Sequence, residues 1–251
     1  MGTTLVALKF DGGVVVGADT RTSASGYVSN KLAYKINPIL TTTTTTESSC
    51  STRCVLCRSG SAADTQHLAG MVQKRFLARQ LLRPVYEPSV SQVAHLLRHL
   101  MRQNVNKDSA PQLQASLICA GYDGLAKEGQ IFGIAPGGSL WEEDYFCVSG
   151  SGSTLLLGML DAKVKAKMAT KEENEPALFT KDEAEELVQE LLQLSIARDG
   201  SSGGLIRIVV MSADGMEQKT VYPKPPNALD GGETKEETMK ELKGFAPAKR
   251  Q

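Results

Sequence analysis

The opening of this 251-residue chain constrains everything after it: Thr4-Leu5-Val6-Ala7-Leu8-Lys9-Phe10 and Val14-Val15-Val16-Gly17-Ala18-Asp19 flank Asp11-Gly12-Gly13. Leu, Val and Phe favour extended backbone, and Asp and Gly accept the positive φ angles of a tight reversal, so the stretch is predicted to be a β-hairpin. The chain therefore enters a sheet almost at its first residue. With Met1-Gly2 ahead of it, Thr3 is placed at the mouth of that sheet. Removal of Met1 and Gly2 would leave Thr3 with a free amine.

A threonine hydroxyl is a weak nucleophile by itself. An α-amino group titrates near ~8 and can take the hydroxyl proton at neutral pH, so one terminal residue supplies both nucleophile and base. Such a site also needs a nearby cation to favour the deprotonated forms, and a donor for the oxyanion. Taken alone, Thr3 reads more readily as an ordinary strand residue.

The length is compatible with one large domain or two small ones. Hydrophobic residues make up 41% of the chain, enough for a sizeable core. Its 28 basic and 28 acidic residues balance, which argues against nucleic acid or an anionic membrane surface as a partner. No apolar run approaches the ~20 residues that cross a bilayer, and no basic-then-apolar leader precedes the first strand, so the chain is expected to be soluble. The five cysteines, Cys50, Cys54, Cys57, Cys119 and Cys147, are odd in number and point to free thiols. Cys50, Cys54 and Cys57 with His67 lack the two Cys-x-x-Cys arms of a zinc site, and His95 and His99 lack the following Glu of a metalloprotease helix. No metal or cofactor is expected.

Along the chain, residues 23–27 read as a turn, 31–40 as extended chain, and 41–52 as an inserted polar loop rich in Thr. Residues 54–59 read as a strand feeding Gly60 and then a helix capped by Ser61, with Asp64 three residues on; Leu68, Met71, Val72, Phe76 and Leu77 form its apolar face, and Arg83-Pro84 stops it. A second helix begins near Ser89 or Ser91 and carries Val93, Ala94, Leu97, Leu100 and Met101. Residues 114–122, 130–135 and 140–149 read as strands, separated by turns at Tyr122-Asp123-Gly124 and Pro136-Gly137-Gly138. A third helix spans 152–167 with Leu156, Met159, Leu160 and Val164 buried. A charged linker at 171–176 leads to a helix capped by Thr180 and ended at Arg198-Asp199-Gly200. Strands at 205–211 and 216–222 meet at Ala213-Asp214-Gly215, and 224–251 is expected to be a flexible tail. This order suits two antiparallel sheets face to face with helix pairs outside.

Gly2-Thr3-Thr4, Gly17-Ala18-Asp19-Thr20-Arg21, Lys35, Gly60-Ser61-Ala62-Ala63-Asp64, Ser149-Gly150-Ser151-Gly152 and Arg198-Asp199-Gly200-Ser201-Ser202-Gly203-Gly204 occur in one order over about 220 residues. In these motifs the chain resembles the catalytic β subunits of the eukaryotic proteasome core particle, most closely the beta-1, caspase-like type. The resemblance implies a single α+β domain over 3–223, the four-layer αββα sandwich of N-terminal nucleophile hydrolases, with 1–2 a residual propeptide. It implies a threonine endopeptidase with Thr3 as nucleophile, Lys35 and Asp19 as an ion pair beside it, Gly60 as oxyanion donor, and Ser151, Asp199 and Ser202 orienting the amine. Arg58 would form the base of a pocket for acidic side chains, lined by Thr22, Ala33, Asn37, Ala62 and Thr65, with Ser23 and Ala62 pairing with substrate backbone. Partners implied are other β and α subunits in a stacked barrel and unfolded polypeptides, in cytoplasm and nucleus. A non-catalytic ring subunit, or another amidohydrolase of the same nucleophile group, is the alternative. Outside the resemblance, Lys35 is also an ordinary surface lysine, Arg58 an edge-strand arginine, and the 199–204 segment a helix cap and loop.

Overall fold

The computed structural model describes residues 2–24, 26–40, 52–83, 88–105, 113–170 and 179–223. Expectations for Met1, Cys50, the loop at 41–51, the linker at 171–176 and the tail at 224–251 lie outside the described residues. In chain order the elements are β1 (Thr4–Phe10), β2 (Gly13–Asp19), β3 (Thr22–Ala24), β4 (Tyr27–Asn30), β5 (Ile36–Leu40), β6 (Arg53–Gly60), α1 (Ala62–Leu82), α2 (Val90–Val105), β7 (Ala115–Asp123), β8 (Glu128–Ile134), β9 (Leu140–Glu143), β10 (Phe146–Gly150), α3 (Ser153–Thr170), α4 (Lys181–Arg198), β11 (Ile206–Ser212) and β12 (Gly215–Val221).

Two five-stranded sheets are formed, one in the order β10-β1-β2-β11-β12 and the other β5-β6-β7-β8-β9, with β3 and β4 as a separate ribbon. The opening hairpin forms as its sequence dictates, with Leu5 opposite Ala18 and Phe10 opposite Gly13. Every residue of β2 is buried, because β1 and β11 flank it and both of its faces are covered. Three apolar clusters mark the layers. Leu68, Val72 and Phe76 of α1 and Val93, Leu97 and Met101 of α2 pack on one face of the second sheet. Leu156 and Leu160 of α3 and Leu187 and Leu191 of α4 pack on the outer face of the first. Leu5, Ala7, Val16 and Ala18 meet Val55, Cys57, Ile118 and Ala120 between the sheets. The result is the four-layer αββα sandwich.

Helix signals place their elements closely. Ser61 caps α1 and accepts the Asp64 N–H, and Thr180 and Glu183 form a reciprocal capping box on α4. The Asp64 carboxylate does not return to its own cap; it accepts the backbone N–H of Gln114.

Five expectations are corrected. The stretch at 140–149, read as one strand, is two strands, β9 and β10, in different sheets, because the chain breaks at Asp144-Tyr145 to cross between layers. Extended pairing within 31–40 is confined to β5, and 31–35 is irregular. Of the turn expected at 23–27, Ser23, Ala24 and Tyr27 are paired strand residues of a short ribbon, with Ser23 opposite Val28 and Gly26 turning between the strands. Leu77 is exposed, having turned past the face that carries Val72 and Phe76. Thr52, assigned to the inserted loop, is buried and its hydroxyl accepts the Gly124 N–H. Cys54, Cys57, Cys119 and Cys147 are free and buried, and burial pushes the Cys147 thiol up to about 12.

Candidate active site

Thr3 immediately precedes β1, and pairing of Thr4 with Gly150 sets it beside the end of β10. It is 6% exposed. Its hydroxyl donates to the Gly2 carbonyl at 2.6 Å, and the Lys35 ammonium donates to the same oxygen at 3.3 Å. Hydroxyl and ammonium thus converge on one atom, the carbonyl of the peptide bond that precedes the threonine. Gly2 is required there: a Cβ at this position would drive into the backbone and Cβ of Ser201.

Lys35 lies at the entrance to β5 and is 6% exposed, with Asp19, fully buried at the end of β2, 2.7 Å from its ammonium. A buried ammonium requires such a partner. Asp19 is further held by backbone N–H groups: Thr4 donates to Oδ1 at 2.9 Å, and Arg21 and Gly203 to Oδ2 at 3.2 and 3.0 Å. Burial lowers the Lys35 pKa, against the opposing attraction and hydrogen bond of Asp19. Asp19 therefore holds the ammonium in place near the Thr3 hydroxyl, the two groups sharing the Gly2 carbonyl, with little solvent to screen it.

A hydroxyl and carboxylate network borders Thr3 on the other side. The Thr3 N–H donates to Ser151 Oγ at 3.2 Å, and Ser151 donates to Asp199 Oδ2 at 2.7 Å. The Ser202 hydroxyl donates to the same carboxylate oxygen at 2.7 Å. Burial opposes ionisation of Asp199, yet hydrogen bonds from Ser202, Ser151 and the Ser201 N–H together outweigh it and hold the carboxyl below its usual range. Ser202 also meets the Thr4 hydroxyl at 2.7 Å, and Thr4 in turn bonds the Ser195 hydroxyl of α4.

Arg58, on β6, is 8% exposed. Its Nε donates to Asn37 Oδ1 at 2.5 Å, one terminal nitrogen to Thr65 Oγ1 at 3.2 Å and the other to the Tyr34 carbonyl at 2.5 Å. All three acceptors are neutral, and among the described residues no carboxylate lies within ion-pair range of it. Its own backbone N–H donates to the Lys35 carbonyl at 2.9 Å, which ties this pocket to the lysine.

Gly60 ends β6 exposed, at φ 100°, a left-handed conformation in which a Cβ would also strike the Gln114 carbonyl. The structure thus brings Thr3, Asp19, Lys35, Ser151, Asp199 and Ser202 into one network, and Arg58, Asn37 and Thr65 into a second, adjoining one. Of the remaining predicted residues, Ala62 touches the second network through its carbonyl, which accepts from the Thr65 hydroxyl at 3.2 Å. Thr22 and Ser23 lie half-buried in β3, Ala62 is exposed at the start of α1, and Ala33 gives its N–H to the Thr20 carbonyl. Sequence reasoning missed Thr4, Ser195, the Gly2 carbonyl and the Tyr34 carbonyl. Backbone acceptors carry no side-chain signal, and a threonine beside a threonine has none of its own.

A family model described as proteasome subunit matches residues 1–211. The chain is 38% identical to proteasome subunit beta type-6 of Dictyostelium discoideum, covering 88% of this chain and 89% of that one. It is 34% identical to proteasome subunit beta type-1 of Saccharomyces cerevisiae, over 89% of each. It is 33% identical to human proteasome subunit beta type-9, over 88% and 86%.

Proposed function

This chain belongs to the proteasome beta subunit family, the N-terminal nucleophile hydrolases of the core particle, and we propose that it is a catalytic member that cuts unfolded polypeptides after acidic residues. Membership implies assembly with other proteasome subunits. A stacked barrel of β and α rings, in cytoplasm and nucleus, is part of the proposal. The observation that carries it is the convergence of the Thr3 hydroxyl and the Lys35 ammonium on the Gly2 carbonyl, with Lys35 fixed by Asp19.

While Gly2 is attached, the Thr3 nitrogen is an amide that donates to Ser151 and cannot accept a proton. Release of Gly2 turns it into an amine in the same place. Thr3 Oγ then attacks the scissile carbonyl carbon and its proton passes to the amine. The Lys35 charge favours the alkoxide, and the Gly60 N–H receives the oxyanion. The amine returns the proton to the leaving nitrogen as the peptide bond breaks, which leaves an ester on Thr3. Water, deprotonated by the same amine, hydrolyses that ester. Ser151, Asp199 and Ser202 keep the amine aimed.

Arg58 supports the preference for acidic residues. A buried guanidinium with three of its five N–H groups on neutral acceptors retains both charge and donors for a carboxylate, and Asn37 and Thr65 fix its orientation. Thr22, Ser23, Ala33 and Ala62 are proposed to border the substrate. A non-catalytic subunit would have no use for the buried Lys35–Asp19 pair aimed at Thr3.

Intact-mass measurement on the purified particle is expected to show this chain beginning at Thr3; active particles in which it retains Gly2 overturn the mechanism. In the same particles, Arg58→Ala is expected to weaken cutting after Glu far more than reaction with a small nonselective warhead. Equal losses on both remove the pocket assignment.

A further inference from the structure

Four consecutive carbonyls, from Leu32 to Lys35, are each taken by an arginine. Those of Leu32 and Ala33 accept from the two terminal nitrogens of Arg207 at 3.5 and 3.2 Å. That of Tyr34 accepts from the Arg58 side chain, and that of Lys35 from the Arg58 backbone N–H. The Arg207 guanidinium also lies over the Tyr34 ring, 3.4 Å from its centroid. Arg207 is 8% exposed and, among the described residues, within ion-pair range of no carboxylate, so its contacts are this segment's backbone and that ring. The 31–35 segment has no strand pairing of its own. Besides Arg58, it is held by Arg207, by Asn30, whose side-chain oxygen accepts the Leu32 N–H, and by Thr20, whose carbonyl accepts the Ala33 N–H and whose hydroxyl donates to the Lys31 carbonyl.

We infer that Arg207, stacked on Tyr34, is a positioning residue that sets the Lys35 ammonium and the Arg58 pocket in one common geometry. Arg207 is anchored on β11, opposite Ala18 of the strand that ends in Asp19, so it refers the irregular segment to the sheet that carries Thr3. One end of that segment delivers the ammonium, and its Tyr34 carbonyl fixes one nitrogen of the Arg58 fork. Loosening the segment displaces both together. A planar fork and a stacking face are needed for this; lysine offers neither.

The inference rests on the proteolytic reading above, and its test separates the two. Assembled particles carrying Arg207→Lys, Tyr34→Ala or Tyr34→Phe are compared with wild type, with turnover expressed per Thr3 labelled by a threonine-directed irreversible inhibitor. Arg207→Lys and Tyr34→Ala are expected to raise KM for a Glu substrate and lower Glu-over-Leu selectivity by about five- to tenfold, with a shifted alkaline limb of kcat. Tyr34→Phe, which keeps the ring, restores most of what Tyr34→Ala loses. Amide hydrogen exchange across 31–37 accelerates in the first two variants. A residue that only stabilised the fold would lower the labelled fraction and leave KM, selectivity and pH profile per labelled site unchanged; that result overturns the inference. Unchanged exchange overturns it as well. A wild-type chain that the inhibitor never labels overturns the proteolytic reading instead, while exchange still decides whether Arg207 holds the segment.

Discussion

Asp19 holds more of the candidate site than any other single side chain. It satisfies one ammonium and three backbone N–H groups with no exposure to water. Asp19→Ala would take this acceptor from the Thr4 and Gly203 N–H groups and leave the Lys35 ammonium with only the neutral Gly2 carbonyl, while the Arg21 N–H keeps the Gly203 carbonyl at 2.8 Å, so a destabilisation of about 3–5 kcal/mol is expected. Lys35→Met leaves Asp19 with its three backbone donors, and a smaller loss of about 1–3 kcal/mol is expected. Both should remove turnover, by on the order of 10²-fold or more. Chain-resolved thermal unfolding of the particle, set beside kcat, checks the inequality; equal stability losses would show that the backbone donors do not matter. Lys35 also sets a pH dependence. Its pKa lies below the ordinary lysine value of 10.5 because burial outweighs the attraction of Asp19. Between the lowered value and 10.5 the unfolded chain binds more protons than the folded one, so the Lys35 contribution to stability rises with pH there. Activity runs the other way: the ammonium is lost as pH rises through the lowered value. The alkaline limb of kcat should therefore fall before an ordinary lysine titrates, and a limb unmoved by Lys35→Arg would assign it to another group.

At the scale of elements, the site is assembled from strand ends and helix caps. The end of β6 makes this explicit, since Gly60 leaves the strand at φ 100° under the Gln114 carbonyl and hands the chain to the Ser61 cap of α1. Gly60→Ala meets both a backbone clash and a left-handed φ, so it is expected to cost about 1–3 kcal/mol and to tilt the N–H away from the oxyanion position proposed for it. kcat should drop with KM little changed; a selective rise in KM would move Gly60 from oxyanion donor to substrate contact. Elements that carry a local signal were legible in the sequence. Ser61 and Thr180 announce their helices, and Asp11-Gly12-Gly13 announces the hairpin. The break at Asp144-Tyr145 was not, because apolar residues resume at Phe146 and alternation cannot reveal a change of sheet. The Thr3, Asp19 and Lys35 grouping was accessible only through resemblance, since its members lie in three separate segments. The use of the Tyr34 carbonyl left no trace at all, because any residue type supplies that atom.

Across the whole molecule, the candidate site straddles both sheets. Thr3 and Asp19 belong to the first sheet, Lys35 enters the second through β5, and Arg58 lies in it on β6. The distance between the Thr3 hydroxyl and the ammonium is therefore expected to follow the layer between the sheets, where small residues such as Ala7, Ala18 and Ala120 pack among Val16, Val55 and Ile118. Interiors of this density transmit strain instead of absorbing it. Ala7→Leu adds volume there and is expected to destabilise by about 1–3 kcal/mol. It should also move the sheets apart enough to reduce kcat per labelled Thr3 by about tenfold. Leu68→Ala offers the comparison, because Leu68 packs between α1 and the outer face of the second sheet, away from the interlayer. It is expected to cost about 2–5 kcal/mol and to leave kcat per labelled Thr3 unchanged. Active-site titration of both particles decides the matter: if the two variants lose turnover in proportion to stability, the spacing of the sheets is not what tunes the threonine.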